Sequence, residues 1–325
     1  MIDTHQHLIH RDLLRYRWTE KIGPLAQGSF TTTDYAHDLA GRGTEGTLFM
    51  ECAVEEADYR AEARIVAQHM RRPNSMLLGQ IASCRPEVDD GFSDWLDEGP
   101  SLGVVGYRRV LHVVPDAVSQ DTTLRRNLKL LGQRGLPFDM CFFPRQLGAL
   151  ALDLIRDCDA QVLVLDHCGC PDIVRGSFDD WARDIAAIGR QDHVVCKLSG
   201  LTAYCAPGPH DATTLRPWLD HVLNCFGPQR MLWGSDWPVV NLGAGLAGWI
   251  DLTRTLLASL SPSERDEIET GTARRVYRLP GPKSPPIATD ADVLRVYRAR
   301  SQQAISGPNQ MEKPGKNCDH PPDTA

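Results

Sequence analysis

Eight short apolar segments recur along the chain, and their alternation with amphipathic segments constrains the fold more than any other feature. Each apolar segment is a continuous run rich in Val, Leu, Ile and Phe, which is typical of parallel strands buried on both faces. The segments comprise residues 1–8, 46–54, 76–84, 103–112, 137–143, 161–168, 193–200 and 230–238.

Amphipathic stretches with the period of an α-helix lie between these segments. They include DYRAEARIVAQHMRR (58–72), TLRRNLKLLGQRG (123–135) and LRPWLDHVLNCFG (215–227). Strands that alternate with helices indicate parallel βα units, and eight such units predict a single-domain (β/α)8 TIM barrel of the α/β class. A doubly wound sheet is the alternative, but it more often carries a glycine-rich phosphate turn after its first strand. This sequence has no such turn there.

The composition changes after Leu279, where PGPKSPP and the final SGPNQMEKPGKNCDHPPDTA are rich in Pro, Gly and polar residues. Segments of this kind bury too little apolar surface to order themselves. We therefore predict a barrel domain over residues 1–279, and a mostly disordered tail over residues 280–325 with one helix around 291–303.

The charge balance argues against several classes of partner. The formal net charge is −7, and acidic and basic residues are interspersed rather than gathered in blocks. Nucleic acid and anionic membrane surfaces are therefore not expected as partners. The sequence has no apolar run long enough to span a bilayer and no signal-peptide pattern. We expect a cytoplasmic protein that binds a small molecule, with the oligomeric state left open between monomer and homodimer.

Ten cysteines are spread along the chain, and many of them lie in apolar runs. This distribution is typical of buried, reduced thiols in a cytosolic enzyme. The HCGC stretch at 167–170 contains a CxC pair without the second pair that a structural zinc site needs. We do not predict a structural zinc site there.

Polar side chains gather at the predicted carboxyl ends of three strands. His5 and His7 lie two residues apart on the first strand, so both face the same side. An isolated HxH pair is more often a hydrogen-bonded core pair. Here His167 ends the sixth strand and Asp236 ends the eighth, and the carboxyl ends of barrel strands meet at one mouth. Three imidazoles and a carboxylate converging there predict a site for one divalent metal ion.

This combination resembles the amidohydrolase superfamily of barrel hydrolases. It is most similar to the amidohydrolase-related group that contains sugar-acid lactonases and 2-pyrone-4,6-dicarboxylate lactonase. The resemblance covers residues 1–279. The segments that match the family pattern are IDTHQH, LDHCGCPD, CKLSGL, FGPQRMLWGSDWPV and ARRVYRL. HxH alone is a weak signal, whereas HQH together with GSDWP is fairly specific.

The resemblance implies a hydrolase of carbohydrate catabolism and a role for each matching residue. Asp236 would be the general base and then the general acid, with His167 and Arg108 also catalytic. The metal ligands would be His5, His7, His167 and Asp236, with zinc the default ion and manganese the alternative. No His, Lys or Glu occurs in DMCFF on the fifth strand, so we expect at most one ion, weakly held or dispensable. The predicted substrate contacts are Trp18, Glu51, Arg109, His112 and Trp237.

The sequence departs from the family pattern at three positions. Phe143 and Cys170 stand where many members have Arg and Lys, and Thr272 replaces Asn. Loss of two cations at the mouth weakens the case for a dianionic substrate. A neutral aldono-lactone, such as L-fucono-, L-rhamnono- or galactonolactone, fits better.

Other functions remain open at this point. They are a 2-pyrone-4,6-dicarboxylate-type lactonase, a metal-dependent decarboxylase of the same superfamily, a TatD-like nuclease and a non-enzymatic binding module. The nuclease fits less well because its Glu-Thr-Asp motif is replaced by GSDWP.

Overall fold

The computed structural model describes residues 1–175, 178–205 and 211–281 of the 325-residue chain. Eight parallel strands follow one another in chain order around a nearly closed barrel, with helices between them. The predicted TIM-barrel architecture is therefore confirmed. The strands are β1 (Ile2–Gln6), β2 (Gly46–Met50), β3 (Leu77–Ser83), β4 (Val104–Val110), β5 (Phe138–Cys141), β6 (Leu163–Leu165), β7 (Val194–Leu198) and β8 (Met231–Trp233).

Each predicted apolar segment contains one strand, but the strands are shorter than the segments. The segment 161–168 contributes only Leu163–Leu165 to the barrel wall. Its last residues leave the wall in a turn of 3-10 type at Asp166–Gly169. The apolar run predicted the strand correctly and did not mark the point at which the chain turns into the mouth.

The helices lie outside the strands. They are α1 (Thr32–Asp38), α2 (Tyr59–Met70), α3 (Phe92–Glu98), α4 (Ala117–Gln120), α5 (Thr122–Gln133), α6 (Pro144–Gln146), α7 (Leu152–Asp157), α8 (Phe178–Gly189), α9 (Leu201–Tyr204), α10 (Ala212–Phe226), α11 (Gly245–Leu256), α12 (Pro262–Asp266) and α13 (Thr272–Val276). The three amphipathic stretches singled out in the sequence form α2, α5 and α10.

Helix α5 shows why these stretches are helical. Its residues Leu124, Leu128 and Leu131 are buried, and their spacing places them on one helix face against the barrel. The helix begins after Asp121, whose side chain accepts hydrogen bonds from the backbone N–H groups of Thr123 and Leu124. Such a cap satisfies donors that the first helical turn leaves free.

The barrel closes where the chain beyond β8 meets β1. The backbone N–H of Asp236 donates to the His5 carbonyl at 2.9 Å, and that of His7 donates to the Trp237 carbonyl at 2.7 Å. The Thr4 hydroxyl donates to the Trp233 carbonyl at 2.7 Å. These bonds set the two candidate histidines of β1 beside the candidate aspartate.

A small apolar cluster fills the end of the barrel remote from the mouth. Tyr277 and Leu279 belong to this cluster and are 1% and 8% exposed. They pack with side chains from the strands, among them Ile2, Leu48 and Ile81. The ARRVYRL segment therefore seals one end of the barrel, which explains why the apolar pattern persists to Leu279.

The two ends of the described barrel meet at Glu45, just before β2. The N-terminal ammonium group of Met1 lies 3.9 Å from Glu45 Oε1, and Arg274 on α13 donates to Glu45 Oε2 at 2.5 Å. One carboxylate thus contacts both the first residue and the last of the described helices.

Residues 282–325 lie outside the described residues. The tail predicted over 280–325, with its helix around 291–303, falls almost wholly in this part of the chain and stays a prediction. Among the described helices, none is both long and apolar enough to cross a membrane.

Candidate active site

Asp3 organises the seam beneath the candidate site. Its buried carboxylate accepts hydrogen bonds from the Ser235 N–H at 2.8 Å, the Ser235 hydroxyl at 2.5 Å and the Tyr35 hydroxyl at 2.8 Å. It also accepts from the backbone N–H of His5 at 3.0 Å. Burial disfavours the charged form of Asp3 and raises its pKa. The four hydrogen-bond donors oppose this effect and offset part of the cost of burying the carboxylate. They fix the backbone that presents His5 and Asp236.

His5, His7 and Asp236 form a compact group at the mouth. Asp236 Oδ1 lies 3.3 Å from His7 Nε2 and 3.7 Å from His5 Nε2. The three side chains are almost completely buried. Together they are one of the groups of described residues whose ligand atoms lie close enough to share an ion.

The proton on His7 can be placed from its neighbour. His7 Nδ1 lies 3.0 Å from the Met50 carbonyl oxygen, which only accepts, so Nδ1 carries the proton. In the neutral tautomer with the proton on Nδ1, the Nε2 lone pair faces the Asp236 carboxylate. Two electron-rich atoms at 3.3 Å are stabilised by a cation between them, and the Nδ1–H to carbonyl bond is the orientation typical of metal-bound histidines.

His167 lies next to His5 in this group. The His5 and His167 rings are 4.5 Å apart between centroids. His167 Nδ1 lies 2.8 Å from the Ser199 hydroxyl and 4.0 Å from Asp236 Oδ2. His167 has a φ of 54°, in the left-handed region that residues other than glycine rarely adopt. The turn after β6 thus aims this imidazole at the mouth at a cost in backbone energy.

Asp166 is a site residue that the sequence reasoning missed. It is fully buried, with Oδ1 at 3.5 Å from His5 Nδ1 and at 3.1 Å from Lys197 Nζ. Burial opposes its ionisation, but Lys197 and His5 hold the pKa of Asp166 well below its usual value. In the sequence, the feature that pointed to Asp166 was its position at a strand end, immediately before His167.

Lys197 belongs to the barrel interior and not to the mouth. Its ammonium group contacts Asp139 Oδ2 at 2.5 Å as well as Asp166, and the Tyr277 hydroxyl donates to the same Asp139 oxygen at 2.9 Å. This ionic network connects the sealed end of the barrel to Asp166 and, through it, to His5.

Burial favours the neutral form of two imidazoles of the site, His5 and His167. Desolvation lowers the pKa of His5 well below its usual value, and it also lowers the pKa of His167. A neutral imidazole is the form that binds metal ions or accepts a proton.

Arg108 enters the site from β4 and is held by two carboxylates. Its Nε donates to Glu51 Oε1 at 2.7 Å, and its Nη1 lies 3.3 Å both from Asp166 Oδ2 and from His5 Nε2. Its Nη2 donates to the Glu51 carbonyl at 2.6 Å. Burial opposes the ionisation of Glu51, but Arg108 holds the pKa of Glu51 below its usual value.

A cavity of about 420 Å³ opens above this group. Its wall includes the candidate site residues His7, Arg108, His167 and Asp236. The predicted contacts Trp18 and His112 also line it. The remaining wall residues are Arg17, Cys52, Ala53, Glu55, Val110, Val113, Cys141, Tyr204 and Val239. Besides the group at its base, the described wall has polar atoms on His112 and Tyr204 and in one pair, Arg17 and Glu55, whose Nε and Oε1 are 2.9 Å apart. The rest of the described wall is largely apolar.

Three predicted substrate contacts lie outside the described cavity wall. Glu51 is 1% exposed and lies behind Arg108. Arg109 follows Arg108 on β4 and therefore points away from the barrel interior, where its Nη2 donates to Glu87 at 2.6 Å. Trp237 is buried against Tyr35, with its indole N–H bonded to Asp38. These placements suit positioning roles better than direct contact with a ligand.

The residues fit one metal ion. Ligands at 2.0–2.2 Å from a tetrahedral zinc ion lie about 3.4 Å apart, which matches the two nitrogen–oxygen separations at Asp236. The neighbouring Arg108 Nη1, at 3.3 Å from His5 Nε2, brings a positive charge that opposes a second cation. His5, His7 and Asp236 would hold the ion, and Arg108 would weaken its binding.

Comparison with known proteins gives consistent results. A family model described as "Amidohydrolase" matches residues 2–279. The chain is 29% identical over 304 residues to an L-fucono-1,5-lactonase of Burkholderia multivorans, covering 86% of this chain and 97% of that protein. An L-fucono-1,5-lactonase of Burkholderia ambifaria is 26% identical over 289 residues, with 86% and 96% covered. The crystal structure of an amidohydrolase from Burkholderia multivorans with bound zinc has 26% identity and a TM-score of 0.76, covering 86% of this chain and 99% of that one.

Proposed function

Since the chain belongs to the amidohydrolase family, we propose that it hydrolyses the lactone ring of an uncharged sugar-acid lactone. The substrate class includes L-fucono-, L-rhamnono- and galactonolactones. Two relatives of nearly full length carry the name L-fucono-1,5-lactonase, which supports a sugar lactone as the substrate.

The proposal that the substrate is uncharged rests on the charges of the cavity wall. Both arginines in the described wall are already paired, Arg17 with Glu55 at the rim and Arg108 with Glu51 at the base. Arg109 is paired with Glu87 outside the wall. A dianionic substrate would meet no unpaired guanidinium there, so its carboxylates would regain only part of the hydration that they lose. A neutral ring can rest on the apolar wall.

In the proposed reaction Asp236 is the base. Its carboxylate removes a proton from a water molecule, which attacks the lactone carbonyl carbon. The protonated Asp236 then returns the proton to the ring oxygen as the carbon–oxygen bond breaks. One carboxylate serves as both base and acid because an ester releases an alkoxide that needs a single proton.

Arg108 is the residue placed to stabilise the negative carbonyl oxygen that forms during attack. A guanidinium has five N–H donors, and four hydrogen bonds of Arg108 are made to Glu51, Asp166 and His5. An ion bound to His5 Nε2 would replace the bond to His5. One Nη2 hydrogen is left for a ligand. Because the other four bonds hold the guanidinium rigid, this donor needs little reorganisation during the reaction.

A divalent ion would be held by His5, His7 and Asp236, with His167 adjacent, and when bound it would supply Lewis acidity and lower the pKa of water. We propose zinc, which suits imidazole and carboxylate ligands. The contact of His7 Nδ1 with the Met50 carbonyl orients this ring so that its Nε2 faces Asp236.

A panel of lactones assayed with a pH indicator tests the proposal, with metal content measured in the same samples. We expect kcat/KM for aldono-lactones to exceed kcat/KM for 2-pyrone-4,6-dicarboxylate. A higher value for the dicarboxylate would mean that paired arginines suffice for an anionic substrate. Release of CO2 from aromatic acids without lactone hydrolysis would replace the proposal with a decarboxylase.

A further inference from the structure

A second group of metal-binding side chains lies at the mouth, apart from the histidines and Asp236. His112 follows β4, Cys141 ends β5 and Cys170 follows β6. The ligand atoms of these three residues all lie within 4.8 Å of one another. They come from three adjacent strands across the barrel from the seam between β8 and β1.

The two thiols have the spacing of zinc ligands. Cys141 Sγ and Cys170 Sγ are 3.6 Å apart, and both residues are free thiols. Two sulfur atoms at about 2.3 Å from one tetrahedral zinc ion would be separated by about 3.8 Å. The observed separation therefore needs almost no movement of either side chain to accommodate an ion.

His112 supplies a nitrogen ligand in the same place. Its Nδ1 is buried and makes no hydrogen bond within the described part of the chain. Its ring packs on Phe143 with 4.3 Å between ring centroids, which limits its rotation. A buried polar atom without a partner is unfavourable, and a metal ion bound through Nδ1 would satisfy it.

We propose that His112, Cys141 and Cys170 form a second metal site for a thiophilic ion of the zinc class. Thiolate ligands select such ions over magnesium, calcium and manganese. The site has three protein ligands and one open position, because no fourth ligand joins the group among the described residues. Since His112 and Cys141 line the cavity, the open position would be available to water or to an oxygen of a ligand bound there.

This site differs in chemistry from the one at the seam, and it does not depend on the proposed lactonase activity. The group at the seam offers imidazole nitrogen and carboxylate oxygen, whereas the second group offers two sulfurs and one nitrogen. Binding of an ion to the second group can therefore be recognised by a signal that only thiolates produce.

Titration of the reduced, metal-free enzyme with Co²⁺ provides that signal. We expect a thiolate-to-cobalt charge-transfer band in the near ultraviolet, which ligation by His5, His7 and Asp236 cannot produce. The band should be lost in Cys170→Ser and in Cys141→Ser. It should persist in His7→Asn, which changes the seam group alone, and in Cys225→Ser, which removes a partly exposed thiol elsewhere.

Zinc content gives the matching stoichiometry. After loading with Zn²⁺ we expect two ions per chain in the parent enzyme, one more than the single ion expected from the sequence, and one ion in Cys170→Ser. Absence of the charge-transfer band in the parent enzyme, or its survival in both cysteine variants, would overturn the proposal.

Loss of the band in a cysteine variant could also result from misfolding, so a second measurement keeps all cysteines intact. X-ray absorption of the His7→Asn enzyme loaded with one equivalent of Zn²⁺ should show two sulfur neighbours at about 2.3 Å. A first shell of nitrogen and oxygen alone would refute the site. Neither result bears on whether the enzyme opens lactones, so failure here leaves the proposed function standing.

Discussion

Asp236 is the residue on which the proposed reaction depends most, and Asp236→Asn removes the base while keeping the size of the side chain. General acid–base catalysis contributes about 10²–10⁴ in rate, so we expect kcat to fall by about a hundredfold or more. The melting temperature should change little, because the carboxylate contacts imidazoles of the site rather than the core.

Asp90→Asn is the matched control, since Asp90 is an exposed carboxylate outside the described cavity wall. It should leave kcat unchanged. A folded Asp236→Asn enzyme that hydrolyses the best lactone at nearly the parental rate would exclude Asp236 as the base.

Arg108 should weaken metal binding at the seam, and the double variant Arg108→Gln/Glu51→Gln tests this. Both partners of the buried ion pair are replaced, so neither charge is left without the other. We expect the Kd for Zn²⁺ at the seam to fall about tenfold or more, since like charges near 4 Å repel by about 1–4 kcal/mol.

The affinity is measured by competition with a chromophoric chelator, in a Cys170→Ser background so that only the seam group binds. Turnover should decrease even as zinc is held more tightly, because the donor to the carbonyl oxygen is lost. An unchanged or weaker zinc affinity would show that the guanidinium does not oppose the ion.

The sequence predicted that His5, His7, His167 and Asp236 lie together, because residues two apart on a strand face the same side and the carboxyl ends of barrel strands meet at one mouth. It did not locate Asp166, since an acid next to a histidine has no distinctive spacing. Alternation along a strand also explains the placement of Arg109: if Arg108 faces the interior, its neighbour must face outward. Applied to β4, that rule would have separated the two arginines.

At the scale of elements, the loop after β7 controls the geometry of the site. Gly200 has a φ of +72°, and a Cβ there would lie 2.7 Å from His167 Nδ1 and 3.0 Å from Asp236 Oδ2. Gly200→Ala should therefore displace both side chains. A shift of about 1 Å can cost about a hundredfold in rate, so we expect a loss of that order in kcat.

Gly43→Ala provides the comparison for Gly200→Ala. Gly43 has no atom within 4 Å of the added Cβ and no positive φ, so its variant should keep full activity. If the folded Gly200→Ala enzyme were as active as the parent, tight packing against His167 and Asp236 would not be needed for turnover.

All eight strands could be predicted from sequence because parallel barrel strands are continuously apolar. The turn after β6 could not be predicted. His167, Cys168 and Cys170 all have a φ between 50° and 54°, which local sequence preferences disfavour and the surrounding packing must impose. Sequence periodicity reports average burial, whereas this turn depends on contacts between distant elements.

At the scale of the whole molecule, the predicted tail should contribute little to stability. A chain ending at Gly281 should melt within a few degrees of the full-length protein, as expected for removal of a segment without a core-forming pattern. A chain ending at Val276 is the contrasting case, because it also loses the buried Tyr277 and Leu279. Loss of a large buried aromatic side chain costs about 3–5 kcal/mol.

Thermal unfolding of the three chains distinguishes these outcomes. A large drop for the chain that ends at Gly281 would mean that residues 282–325 stabilise the barrel.

Glu45 has a consequence for how the chain can be cut and rejoined. Its contacts with Met1 and Arg274 place the start of β1 close to α13, and domains with neighbouring ends tolerate circular permutation. A short linker from Gly281 to Met1, with new ends in the exposed loop 71–74, should give the same barrel and the same lactone turnover. The chain would then run from α13 directly into β1, and the break in the chain would lie between α2 and β3, away from every candidate catalytic residue.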